Sequence, residues 1–161
     1  MTPAAPPPGG GLRDTTQSGG DLHLVLNNTL GAVEDGRLAI LDYLAPLDID
    51  PRVINRLEVI FEEVISNIVR HGFAAGSDPS IHVTVAAPPG VIDLTFEDDG
   101  APFDPVAAAE PARPATLEAA TPGGLGISLV RKLSAAMRYE TPAPAAHGFS
   151  PNNRLIVSIA R

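Results

Sequence analysis

Three short polar stretches of this sequence contain residue types that nucleotide chemistry requires. They run from Glu63 to Asn67, from Asp98 to Gly100 and from Gly123 to Gly126. Each by itself has an ordinary explanation: a polar helix flank, an acidic turn and a flexible loop end. Because they occur in this order, with an alternating strand pattern from Val91 to Phe96 directly before the second, they predict a nucleotide site assembled around one sheet.

Glu63 and Asn67 lie four residues apart in a segment of helical spacing, so a carboxylate and an amide project side by side from one helix. The amide oxygen of Asn67 suits Mg²⁺, which takes oxygen ligands beside substrate phosphates. The Glu63 carboxylate could orient or deprotonate an attacking hydroxyl group. His71 continues the same stripe and could approach phosphates or cap the helix C-terminus. No pair of histidines has the spacing of a zinc site.

Asp98 and Gly100 follow the end of the alternating strand. An ionised carboxylate only accepts hydrogen bonds, and the exocyclic amine of adenine donates them, so Asp98 could read the base. Gly100 lets the backbone come close to that base. The cluster from Gly123 to Gly126 precedes a helix, whose free N–H groups can bind phosphate oxygens.

Two other features have plain structural interpretations. Asp104 and Pro105 are expected to form a turn or a hinge. Arg131 and Lys132, in the helix after the glycine cluster, are interpreted as solvated charges, with contact to phosphate or a partner as the alternative.

The strongest helix signal surrounds Glu63 and Asn67. Asp50 and Pro51 provide an N-cap acid and a proline at the first helical position, and Gly72 is the expected stop after Arg70 or His71. At about 100° per residue, Glu62 points to solvent. The core face of this helix consists of Leu57, Phe61, Val64 and Ile68.

The other elements do not alternate as in a doubly wound fold. The expected strands are Asp21 to Leu26, Ser80 to Ala87, Val91 to Phe96, Met137 to Thr141 and Arg154 to Ala160. Two further helices are expected, from Thr29 to Leu44 and from Gly126 to Ala136. Segregated helices and a mainly antiparallel sheet predict the α+β class: a two-layer sandwich with the helices on one face of the sheet.

Composition sets the expected domain limits. Residues 1–20 are rich in Pro, Gly, Ser and Thr and are expected to be a disordered tail, which leaves 21–161 for one domain. Residues 101–122 have no periodicity, and a stretch of this length is expected to be either a functional lid or disordered.

Charge and composition also exclude several classes of protein. The net charge of −8 argues against direct binding of nucleic acid or an anionic membrane. The absence of cysteine excludes disulfides and thiolate chemistry. No apolar run approaches the ~18 residues of a transmembrane helix, and no signal-peptide pattern opens the chain. A soluble cytoplasmic protein is therefore expected.

The same stretches resemble the motifs of a known family. The run Glu63-Val64-Ile65-Ser66-Asn67-Ile68-Val69-Arg70-His71-Gly72 looks like the N-box of the GHKL ATPases, which have the histidine-kinase-like ATPase fold. It is most similar to their anti-sigma regulatory factor branch, serine kinases that hold sigma factors inactive. The first glycine box of that branch is similar to the run from Asp98 to Pro105, and the second to the run from Gly123 to Arg131. Asn153 to Leu155, before the last strand, also fits.

This resemblance implies a role for each matching position. Asn67 would coordinate phosphate-bound Mg²⁺, and Glu63 would be the general base that activates the acceptor serine. Asp98 would read the adenine amine of ATP or ADP, with Gly100 allowing close approach. The phosphates would be contacted by Gly124, Leu125 and Gly126.

Two positions depart from the family pattern. Ile68 stands where the family usually has a small alanine after the N-box asparagine, which concerns helix packing more than the ligand. The loop from Pro142 to Pro151 is longer than usual, and this puts the partner surface in doubt more than the nucleotide site.

The resemblance implies an ATP-dependent serine/threonine protein kinase that phosphorylates an anti-sigma factor antagonist of the STAS type. The same protein would sequester a sigma factor and release it by partner switching, and the family suggests a homodimer. Two alternatives stay open. One is a nucleotide-regulated binding module without kinase activity, and the other is a detached catalytic domain of the histidine kinase type.

Overall fold

The computed structural model describes residues 10–73, 79–108, 126–144, 146 and 148–161. These residues form an α+β fold, in which helices cover one face of a six-stranded antiparallel sheet of order β1-β2-β3-β4-β6-β5. The strands are β1 (Leu12–Ser18), β2 (Asp21–Asn27), β3 (Ser80–Ala86), β4 (Val91–Asp98), β5 (Ala136–Glu140) and β6 (Asn153–Ala160). The α-helices are α1 (Gly31–Leu44), α2 (Pro51–His71) and α3 (Gly126–Leu133). The expected fold class is confirmed.

The core lies between the sheet and the helices. Alternate residues of the inner strands are buried, as the pleat of a strand dictates when one face is covered. On β4 this row consists of Ile92, Leu94, Phe96 and Asp98, and on β6 it consists of Asn153, Leu155, Val157 and Ile159. Asp98 and Asn153 are therefore the polar ends of two neighbouring apolar rows, at the edge of the core.

Helix α2 begins and ends where the sequence predicts. The Asp50 side chain accepts a hydrogen bond from the backbone N–H of Arg52 (2.7 Å), and Pro51 occupies the first turn. Gly72 caps the C-terminus and donates its N–H to the carbonyl of Ile68 (2.7 Å). The apolar face of α2 is buried against the sheet, and Glu62 is exposed as expected.

The first strand differs from the prediction for the N-terminal tail. Residues 1–20 are expected to be disordered, whereas Leu12–Ser18 form β1 and pair antiparallel with β2. Because β1 lies at the edge of the sheet and its side chains are mostly exposed, it carries no alternating apolar signal. Its pairing rests on backbone hydrogen bonds and on a tight turn through Gly19 and Gly20, whose φ values of 62° and 94° favour glycine.

Two other expectations shift at their boundaries. Helix α3 ends at Leu133 rather than at Ala136, because Ala136 already begins β5 and pairs with Ser158 of β6. Strand β4 continues two residues beyond Phe96, and this extension carries Asp98 into the sheet as a partner of Asn153. Of the segment 101–122, only residues 101–108 belong to the part of the chain that the structure describes.

Candidate functional site

A cavity of about 480 Å³ opens at the edge of the core, where the C-terminal half of α2 meets the end of β4 and the start of β6. This volume falls within the range of small-molecule sites. Apolar side chains form much of the wall, Ile68, Phe96 and Ile127 among them. The polar side chains that line it are Asn67, His71, Asp98, Tyr139 and Asn153.

Asp98 is the buried acidic group of this cavity, with 6% of its surface exposed. Its Oδ1 accepts hydrogen bonds from the backbone N–H of Gly100 and from the side-chain amide of Asn153, both at 2.9 Å. Within the described residues both bonds reach Oδ1, which leaves Oδ2 to accept from a ligand. Burial raises the pKa of Asp98 above its usual range, and the two hydrogen bonds oppose that rise.

Asn153 is a site residue that sequence reasoning did not assign. Its Nδ2 donates to Asp98 and to the carbonyl of Ala101 (3.1 Å). Its Oδ1 accepts from the backbone N–H of Phe103 (3.0 Å) and from the hydroxyl of Tyr139 (2.7 Å). One buried amide thus holds both the carboxylate and the loop that follows it. The only signal in the sequence was its position before the last strand, because the pairing with Asp98 spans 55 residues.

Gly100 lies against the C-terminal end of α2. A Cβ at Gly100 would overlap the carbonyl oxygen of Gly72, so only glycine fits there without a shift of the backbone. The same carbonyl accepts a hydrogen bond of 3.0 Å from the N–H of Ala101. This contact joins the end of α2 to the end of β4 and brings the helix that carries Asn67 next to Asp98.

Glu63 and Asn67 occupy different parts of the site. Asn67 lines the cavity, whereas Glu63 lies one helical turn away, half-buried against the start of α3. A Cβ at Gly126 would overlap Oε2 of Glu63, so glycine at this position allows the carboxylate to reach the beginning of α3. The structure therefore places Asn67 and Asp98 on one cavity, with Gly100 beside Asp98. It places Glu63 against Gly126, one helical turn from Asn67. Gly124 and Leu125 lie outside the described residues.

The loop after Gly100 is more ordered than a simple hinge. Asp104 accepts hydrogen bonds from the N–H groups of Val106 (2.8 Å) and Ala107 (3.1 Å) and starts a single helical turn. The Arg131 side chain donates to carbonyl oxygens of that turn. Asp104 is thus the expected turn element, whereas Arg131 is not the solvated charge that the sequence suggested; Lys132 is exposed.

Comparison with known proteins decides the family. The family model described as "Histidine kinase-like ATPase domain" matches residues 26–148. This chain belongs to that family. Its membership implies a nucleotide-binding domain, and its Glu63 to Asn67 helix segment and Asp98 turn fall within the matched range.

Two curated relatives carry more specific names. The chain is 34% identical over 84 residues to "Serine/threonine-protein kinase BtrW" of Bordetella bronchiseptica, and the match covers 52% of this chain and 59% of that relative. The chain thus spans less than two thirds of that relative's length. It is 22% identical over 106 residues to "Anti-sigma F factor" of Priestia megaterium, covering 65% of this chain and 72% of the relative.

A solved structure also matches. It is the histidine kinase domain of the blue-light activated histidine kinase from Erythrobacter litoralis EL346. The match covers 81% of this chain and 60% of that structure's chain, with 17% identity and a TM-score of 0.43.

The side chains of the cavity fit an adenine nucleotide with Mg²⁺. The buried Asp98 carboxylate offers an acceptor for an amine, and the cavity beside it has apolar walls that include Ile68 and Phe96. Asn67 lines the same cavity, and its amide oxygen would suit a hard cation such as Mg²⁺. Among the described residues there is no group of three or more His, Cys, Asp or Glu side chains that could hold a metal ion. In the same part of the chain no helix is long and apolar enough to cross a membrane.

Proposed function

We propose that this chain is an ATP-dependent serine/threonine protein kinase. Its substrate is an anti-sigma factor antagonist of the STAS type, and the same protein sequesters a sigma factor and releases it by partner switching. The observation that carries the proposal is the placement of Glu63. This residue of α2 lies one turn from the cavity residue Asn67, and its carboxylate reaches the start of α3. A domain that only bound nucleotide would not need a base there. The names of the two relatives support the same function.

In this proposal Asp98 accepts a hydrogen bond from the adenine amine, and Gly100 allows the base to lie close to the backbone. Asn67 holds Mg²⁺, and the N–H groups at the start of α3 face the phosphates, with Gly124, Leu125 and Gly126 in contact with them. Bound Mg²⁺ supplies charge neutralisation on the phosphates. Glu63 accepts the proton of the serine hydroxyl as the serine oxygen bonds to the γ-phosphorus of ATP. The bond from that phosphorus to the oxygen it shares with the β-phosphate breaks, and ADP leaves. The rate depends mainly on positioning, as is usual in phosphoryl transfer.

The regulatory setting is part of the same proposal. We expect a cytoplasmic homodimer that acts on transcription through its sigma factor and does not bind nucleic acid directly. The net charge of −8 suits protein partners better than DNA or an anionic membrane.

The decisive experiment compares two neighbouring glutamates. Wild-type protein, Glu63→Gln and Glu62→Gln are incubated with labelled ATP, Mg²⁺ and the STAS-type protein encoded nearest to this chain. Glu62 is the matched control because it is exposed on the same helix turn. We expect label on a serine of the partner with wild type and Glu62→Gln, and a loss of at least about 100-fold with Glu63→Gln. ATP binding should remain in all three proteins.

Other outcomes identify the alternatives. Tight binding of ATP without label on any partner would indicate a nucleotide-regulated binding module. Acid-labile label on a histidine would indicate a detached catalytic domain of the histidine kinase type. Absence of adenine nucleotide binding would refute the kinase and the module alike.

The Mg²⁺ role of Asn67 has its own test. Asn67→Ala should remove most of the Mg²⁺ dependence of ATP affinity, whereas Asn55→Ala, an exposed asparagine of the same helix, should leave it unchanged. An unchanged Mg²⁺ dependence in Asn67→Ala would contradict the assignment.

A further inference from the structure

Arg131 joins the two sides of the cavity. It lies in the last turn of α3, and its Nη2 donates to the carbonyl oxygens of Pro105 (2.6 Å), Val106 (3.2 Å) and Ala108 (2.6 Å). These carbonyls belong to residues 101–108, the segment that follows β4, which we call the strap. The Arg131 side chain is half-buried in this contact.

The strap is one side of the cavity. Phe103 and Pro105 line it, and the strap directly follows Gly100, whose N–H donates to Asp98. The strap ends in a single helical turn, in which the N–H of Ala108 donates to the carbonyl of Asp104 (3.1 Å). The carbonyls at the end of such a turn have no partner within it, and a guanidinium group satisfies several of them at once.

Helix α3 is the other side. Ile127 lines the cavity, and Gly126 lies against Glu63. Arg131 is one turn farther along the same helix. The strap and the start of α3 are therefore held at a fixed spacing by one side chain, although they are separate in the sequence.

We propose that Arg131 is a positioning residue that couples the base side of the nucleotide site to its phosphate side. This inference rests on the proposed function, in which adenine lies beside the strap and the phosphates lie at the start of α3. Arg131 touches neither ligand. A ligand that contacts both sides then binds more tightly, because the two sides already have the spacing that the bound ligand requires and no binding free energy is lost in ordering them.

The test compares a ligand that spans both sides with one that does not. Affinities for ATP with Mg²⁺ and for adenosine are measured by calorimetry on wild type, Arg131→Gln, Arg131→Lys and Lys132→Gln. In Arg131→Gln we expect ATP affinity to fall about tenfold more than adenosine affinity. The loss of ATP affinity in Arg131→Lys should lie between those of wild type and Arg131→Gln, since an ammonium group can reach only some of the three carbonyl oxygens. Lys132→Gln is the matched control and should bind like wild type.

A second measurement does not depend on nucleotide. Amide hydrogen exchange of Val106, Ala107 and Ala108 in the ligand-free protein should be several-fold faster in Arg131→Gln and unchanged in Lys132→Gln. Thermal unfolding identifies any variant that fails to fold, and Arg131→Lys then provides the comparison.

Each result decides the matter. Equal loss of ATP and adenosine affinity in Arg131→Gln would reduce Arg131 to a general stabilising role and overturn the proposal, as would unchanged affinities. If wild-type protein binds neither ligand, the proposed function is wrong. The exchange rates then still decide whether Arg131 holds the strap.

Discussion

The side-chain amide of Asn153 donates a hydrogen bond of 2.9 Å to the Asp98 carboxylate, and both side chains are buried. The two residues are register partners on β4 and β6. This pairing sets the orientation of Asp98, since Oδ1 is occupied by Asn153 and Gly100 while Oδ2 is left for a ligand. The Asp98 carboxylate at this turn therefore presents one oxygen, Oδ2, to a ligand in a defined orientation.

Asp98→Asn should separate stability from binding. An asparagine can keep its Oδ1 in the place where Gly100 and Asn153 donate, and it carries no buried charge, so resistance to urea at neutral pH should equal or exceed that of wild type. Its NH₂ group would then meet the adenine amine, donor against donor. We expect ATP affinity to fall on the order of 100-fold, measured by calorimetry. A variant that binds ATP normally would contradict the role of Asp98.

The pH dependence of stability follows from the raised pKa of Asp98. Burial raises that pKa in the folded protein, so the protonated form is favoured by folding. The stability that this group contributes is complete below the usual pKa of an aspartate and is lost as pH rises through the raised value. The stability advantage of Asp98→Asn should therefore be absent in acid and should grow toward neutral pH. Urea unfolding of both proteins across that range measures it.

A pH-independent difference would show that Asp98 is not destabilised by ionisation. His82, whose pKa is lowered by burial beneath Phe149, is present in both proteins, so its titration cancels in the difference.

Gly126→Ala should impair transfer more than folding. The new methyl group would overlap Oε2 of Glu63, and the end of a flexible side chain can rotate away at little cost. The displaced base should slow phosphoryl transfer by roughly 100-fold, because small misplacements of reacting groups have large effects on rate. Thermal stability should change little, and ATP affinity should fall by less than the transfer rate because the phosphate contact of Gly126 is made by its backbone. Gly31→Ala is the matched control, since it also begins a helix and its Cβ would lie 3.8 Å from Thr29 Oγ1. A Gly126→Ala protein with wild-type rate would contradict this role for Glu63.

Gly100→Ala should have the opposite pattern and destabilise the protein. The atom that its Cβ would overlap is the backbone carbonyl of Gly72, which cannot move without shifting the end of α2. The hydrogen bond from Ala101 to that carbonyl would be strained or lost. We expect the free energy of unfolding to fall by about 1–3 kcal/mol, with weaker ATP binding, by urea denaturation and calorimetry. Unfolding unchanged from wild type would show that α2 and β4 are not joined rigidly here.

Much of the fold could be predicted because its signals are local. The cap formed by Asp50 and Pro51 and the apolar face of α2 specify that helix within one stretch of sequence. The alternation along β3 and β4 specifies strands with one buried face. Strand β1 could not be predicted in this way, because an edge strand held by backbone hydrogen bonds has no apolar pattern of its own.

For the site, the sequence by itself determined the chemistry: a carboxylate and an amide four residues apart on α2, an acid at a strand end, and glycines at a turn and at a helix start. These depend on residue type and short spacing. Only the tertiary structure decided their arrangement. Asn153 reaches Asp98, Gly126 makes room for Glu63, and Arg131 holds the strap, each across more than 20 residues of chain. Such contacts depend on strand register and helix packing, which are settled when the whole core is buried at once.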